Sequence, residues 1–163
     1  MLELVKKLAA VFNTAEPQNG KARSAGPAEA LRESYRRLYN LAEQIDLHAE
    51  KAPYPHVAQR LRQIAAEKRS SANLLRDKIL SLGEELGETP PDIKSGKNHW
   101  QRMVRDLNDQ KALETDFWER AALLAEQAPE LAELLGDIIA SQRPHKEMLL
   151  DLVARADPQA EQT

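Results

Sequence analysis

The sequence contains no cysteine, which excludes a disulfide framework, thiol chemistry and a thiolate metal site. No apolar run approaches the roughly 20 residues that a membrane span requires, and no apolar secretory core with a small-residue cleavage site stands at its beginning. Phosphate-cradling loops are missing as well: there is no Gly-x-x-x-x-Gly-Lys and no Gly-x-Gly-x-x-Gly. Ser34, Ser70, Ser71, Ser81, Ser95 and Ser141 fall in stretches that read as helix or connection, so no nucleophile elbow is present. No catalytic residue is expected. A strong charge of one sign is also lacking, with 23 Lys and Arg against 26 Asp and Glu. The small excess is uneven: residues 1–27 hold Lys6, Lys7, Lys21 and Arg23 against Glu3 and Glu16, so the remainder is acidic. An acidic body argues against nucleic-acid binding, which wants a basic face. A soluble, cytoplasmic protein is the expectation.

What is present is helical. Aromatics make up 4% of the 163 residues, while Leu, Ala, Glu, Arg and Gln dominate, the composition of an all-α chain long enough for one shared core. The chain also repeats itself. Moved back by 74 positions, Ala132 falls on Ala58, Leu135 on Leu61, Ile138 on Ile64, Arg143 on Arg69, Leu149 on Leu75 and Asp151 on Asp77. Upstream the offset becomes 76, because the first copy carries two extra residues in its turn, and Leu31 then meets Leu107 and Leu41 meets Phe117. Two tandem helical hairpins follow from this.

Met1 to Phe12 reads as a short amphipathic helix with Leu2, Val5, Leu8 and Phe12 on one face. Asn13 to Pro27 carries Pro, Gly, Ser and Asn without periodicity and reads as a flexible linker. A sticky helix on a tether suggests docking onto its own body, a partner protein or a second copy in a homodimer. The body, 28–156, begins with a helix opened by Pro27 and running to about Ala52, with the inward row Leu31, Ser34, Leu38, Leu41, Ile45, His48, Ala52. The second helix, about 56–86, presents Val57, Leu61, Ile64, Lys68, Ser71, Leu75, Ile79 and Leu82, and stops near Gly83 and Gly87. Residues 88–97 connect it to a third helix from about Asn98, whose row is Trp100, Met103, Leu107, Gln110, Glu114, Phe117, Ala121, Leu124, Ala128. The fourth runs through Leu131, Leu135, Ile138, Gln142, His145, Leu149 and Leu152, with Pro144 expected to kink it. Residues 157–163 form a polar tail expected to fray.

Every inward row is apolar at both ends and polar in the middle. Unpaired, each buried polar group costs about 1–3 kcal/mol. Ser34, Lys68, Ser71, Gln110, Glu114, Gln142 and His145 are therefore expected to meet one another, or water, halfway along the helices. His56 and His99, beside helix starts, are expected at the surface.

This pattern of two hairpins with mid-helix polar groups, with phrases such as APELAELLGDIIASQRPHKEML, resembles the ferritin-like superfamily, in particular its rubrerythrin-like and bacterioferritin-like branches. The resemblance covers residues 28–153. It implies a four-helix bundle in which one Glu from the first helix of each hairpin and a Glu-x-x-His from the second bind two irons. In this chain the two Glu-x-x-His positions fall on Lys68-Arg69-Ser70-Ser71 and Gln142-Arg143-Pro144-His145, and the two Glu positions on Ser34 and Gln110. Of the six ligands only His145 remains, and Lys68 brings an ammonium where a metal cation belongs. The residues themselves favour a polar plug that replaces the metals with a salt bridge, Glu114 paired to Lys68 and capped by Gln142, Ser71 and His145. The alternative is an iron-handling protein or metal-dependent oxidase with a rearranged site of Glu114, His145 and His48 holding one Zn²⁺ or Fe²⁺. The tethered segment 1–12 also resembles the cargo-targeting helices of bacterial protein compartments.

Two paths remain open for the connection 88–97. Ten extended residues reach about 33–36 Å, against about 38 Å for a 25-residue helix, so it could cross the length of the bundle. The other path is a simple up-down-up-down turn.

Overall fold

The computed structural model describes residues 26–88 and 90–160. The expected helix over Met1 to Phe12 and most of its linker lie outside the described residues. Within them the protein is all-helical, with five segments: α1 Pro27–Glu50, α2 Pro55–Ser81, α3 His99–Leu124, α4 Pro129–Ser141 and α5 Arg143–Arg155.

The ends follow from local chemistry. Pro27, Pro55 and Pro129 stand in the first turns of α1, α2 and α4, where a missing N–H costs nothing and the fixed φ is already helical. Asn98 caps α3 by accepting the Gln101 N–H at 2.8 Å. The second helix stops earlier than its row suggests, at Ser81 rather than near 86. Gly83 takes φ 76° and closes the end: its N–H reaches the Leu80 carbonyl at 3.0 Å and the Glu84 N–H reaches that of Ile79 at 3.2 Å, the paired bonds of a Schellman turn. Leu82, the C-cap residue within this turn, is exposed rather than inward. The expected disturbance at Pro144 appears as a break between α4 and α5 at Gln142, whose N–H folds back to Ile139 at 3.0 Å. The ring prevents the ladder from continuing through that turn.

Ion pairs and hydrogen bonds give the directions. Along α1, Arg37 approaches Asp116, Gln44 bonds Asp109 and His48 bonds Asp106, so α1 and α3 run antiparallel. Along α2, Arg60 pairs with Asp151 while Lys68 bonds His145 and Gln142, so α2 opposes the α4–α5 rod. Since α1 and α2 form a hairpin, α2 and α3 point the same way, and residues 82–98 return along the molecule between them. The return path lies on α1: Arg32 donates to the Glu85 carbonyl at 3.1 Å, Asn40 to that of Asp92 at 2.9 Å, and Gln44 Oε1 accepts the Lys94 N–H at 3.0 Å. The connection crosses rather than turns back.

The four rods enclose one core. Leu31, Leu38, Ile45, Leu61, Ile64, Leu75, Ile79, Met103, Phe117, Leu135 and Leu149 are all fully buried, and burial of such side chains is worth about 1.5–3 kcal/mol each. Beyond α5, the Pro158 carbonyl accepts from Asn98 at 3.3 Å; residues 161–163 of the expected tail lie outside the described residues. None of the helices among the described residues is long and apolar enough to cross a membrane.

Candidate functional site

Halfway along the core the apolar layers give way to two polar ones. The first surrounds Lys68, which α2 projects inward between Ile64 and Leu75 and which is wholly buried. Its ammonium donates to Gln110 Oε1 from α3, to Gln142 Oε1 at 2.6 Å from the helix break, and faces His145 Nδ1 at 3.2 Å from α5. On the far side of the ring, His145 Nε2 lies 2.6 Å from Glu67 Oε2. The carboxylate fixes the proton on Nε2, so Nδ1 is left to accept from Lys68. Three protons thus meet three acceptors. Lys68 and Gln142 occupy equivalent positions of the internal repeat, so the two hairpins face each other across this contact.

All three direct partners of the ammonium are neutral. Burial pushes Lys68 down to about 7, with Glu114, Asp106 and Glu67 opposing the shift through space. His145 is lowered by its own burial and by Lys68, against the pull of Glu67. Glu67 is held below the usual carboxylate range by the bond from His145.

The second layer lies one helical turn along α3. Asp106 is wholly buried and takes the His48 ring at 2.7 Å and the Gln44 amide at 2.9 Å. The same amide reaches Asp109 at 2.8 Å. Burial pushes the Asp106 carboxyl upward, and the bonds from His48 and Gln44 pull it back. His99 and Arg102 are buried beside this layer, and Arg102 bonds the Gly96 carbonyl at 3.2 Å. His99 is therefore not at the surface as expected; its pKa is lowered by burial, by Arg102 and by His48. His56 is exposed and stacks on Tyr54.

The chain matches no protein-family model, no curated protein and no solved structure.

Of the seven residues expected in the plug, the structure brings four into contact: Lys68, Gln110, Gln142 and His145. Glu114 stays one step away. It bonds Gln110 at 3.4 Å and pairs with Lys146 at 3.4 Å, because its carboxylate sits half-buried at the rim, where the α5 lysine reaches it more easily than the core ammonium. Ser34 is buried with its hydroxyl unpartnered, and Ser71 is half-buried with no side-chain bond to the cluster. The three-ligand grouping of Glu114, His145 and His48 is not assembled. His48 is captured by Asp106, and both His145 nitrogens are engaged, by Lys68 and by Glu67. Among the described residues no three His, Asp or Glu side chains are placed to hold a metal ion. Nor do the residues at the positions where the ferritin-like resemblance would put a dinuclear site fit one: an ammonium stands among them, and the Gln110 and Gln142 oxygens both accept from it.

Sequence reasoning passed over Asp106, Gln44, Asp109, Glu67 and Arg102. A periodic signal for three of them exists, since Arg102, Asp106 and Gln110 are spaced by four along α3 and Gln44 and His48 by four along α1.

Proposed function

We propose that this chain is a ferritin-like four-helix bundle without catalytic activity, a protein-binding or structural module in which a lysine ammonium stands where the resembling proteins hold two metals. The observation that carries this reading is the Lys68 ammonium bonded by Gln110, Gln142 and His145 at the mid-height of the core. A hard dication needs anionic oxygen ligands; here the acceptors are neutral and already used. The crossing connection along α1 supports the ferritin-like topology, since it leaves α1 against α3 and α2 against α5. Without a reactive group to deploy, the remaining means of action is association. Residues 1–12, with Leu2, Val5, Leu8 and Phe12 on one face, are the segment assigned to it, toward a protein partner or a second copy.

The test is a side-by-side affinity purification of the intact chain and of residues 28–163. The intact chain should retain a stoichiometric protein partner or a second copy, and the shortened chain should lose it while keeping its helical circular dichroism and melting temperature. Retention of the same complex by residues 28–163 would contradict the reading.

A further inference from the structure

Between α1 and the returning connection lies an open groove of about 750 Å³, within the range of ligand-sized sites. Its lining is partly aromatic: Tyr35 and Tyr39 stack with ring centroids 5.9 Å apart, and Pro90 and Pro91 line it as well. Its rim carries Glu88, Asp92 and Lys94, none of which forms an ion pair among the described residues. Asn40 lines it too, and its Oδ1 is buried without a hydrogen-bond partner. A half-aromatic groove with unspent charges and an orphan acceptor is incomplete as it stands.

We propose that residues 1–12 of this same chain occupy the groove. The unpaired charges complement one another, Arg36 and Arg37 of the same groove being held by Glu33 and Asp116. The segment presents Lys6 and Lys7 beside the stripe Leu2, Val5, Leu8, Phe12, with Glu3 near one end, so two lysines meet Glu88 and Asp92 while Glu3 meets Lys94. The reach also matches. From Pro27 to Arg36, at the middle of the groove's α1 wall, is about 14 Å along the helix, and a flexible tether as long as residues 13–26 would span about 20 Å root-mean-square. A tether whose span matches its site gives the segment an effective concentration in the millimolar range there. A short amphipathic helix that is marginal alone gains a partly aromatic lining by docking. The inference rests on the reading of residues 1–12 as a docking element, and adds where that element sits when no partner holds it. A partner must therefore compete with the groove for the same apolar stripe.

Because the chain has no cysteine, Ala10→Cys accepts a single nitroxide at a position off the stripe. In the full chain at high dilution, the amide signals of Tyr35 to Asn40 and of Lys94 should be lost to relaxation by the nitroxide, while those of Ala49 and Glu50 at the far end of α1 persist. Tyr39→Glu, at an exposed position, should restore the lost signals. Undiminished signals at 35–40 overturn the proposal, as does a loss seen only on mixing nitroxide-bearing and isotope-enriched chains, which would place the segment on a second copy. Undisturbed groove signals together with a partner that residues 28–163 fail to hold would sink the seat and leave the binding module standing. Lost groove signals together with complexes that residues 28–163 keep would do the reverse.

Discussion

Lys68→Met should melt at a higher temperature than the wild type at pH 6, and the difference should shrink as pH rises toward 10.5. The unfolded chain holds the Lys68 proton up to its ordinary pKa of 10.5, whereas the folded chain releases it at about 7. Between those values the unfolded state carries one more proton at Lys68, so the Lys68 contribution to wild-type stability climbs with pH at about 1.4 kcal/mol per pH unit. Below about pH 7 the full burden of the buried ammonium is present, on the order of 5 kcal/mol. Methionine fills the same space without a charge, and the amides of Gln110 and Gln142 can then turn to bond each other. Replacing a buried charge with an apolar group of similar volume is often stabilising, by about 1–4 kcal/mol, and that is the gain expected at pH 6. Denaturant titrations of both proteins across this window check it. Parallel stability curves for the two proteins would show that the ammonium is not buried as described.

Asp106→Ala should have the opposite sign and a comparable size, a loss of about 3–5 kcal/mol, because removing one member of a buried polar pair strands the rest. Among the described residues, His48 would lose its one side-chain hydrogen-bond partner and Gln44 one of its two carboxylate acceptors. The damage should travel outward. Gln44 Oε1 holds the Lys94 N–H of the crossing connection, so the Lys94 amide should exchange faster with solvent in the variant even under native conditions. Asp106→Asn keeps the shape and an acceptor oxygen and should lose less. A change below about 1 kcal/mol in Asp106→Ala would contradict the network, since that is the scale of a single exposed contact.

Much of the fold was legible because helix rows depend on spacing alone. Leu31, Leu38 and Ile45, or Leu61, Ile64 and Leu75, can share a face only at helical period, and the prolines at 27, 55 and 129 mark first turns by covalent geometry. The repeat made two hairpins legible for the same reason. The sense of the connection was not, because its length permits either path; the choice is made by Asn40 and Gln44 bonding its backbone, and neither bond leaves a mark on periodicity. In the core, an interruption such as Lys68 announces itself on an apolar row. Its partner is less legible: Glu114 is on the right face of α3, yet a turn nearer the rim, where Lys146 intercepts it. Asp106 and Arg102 were missed because they flank the apolar row rather than interrupt it, and His99 because a helix start resembles a surface until the return of the connection covers it.

In the proposed reading, the Lys68 ammonium fills the place that two metals take in the proteins this chain resembles. The direct measurement is elemental analysis of the purified wild-type protein after incubation with Fe²⁺ or Zn²⁺ and removal of free ions, beside Lys68→Ala. Wild-type protein without stoichiometric metal is the predicted result. Stoichiometric metal in the wild type that disappears in Glu114→Ala and His145→Ala would contradict it, and would mean that those side chains leave their present partners to form a working site.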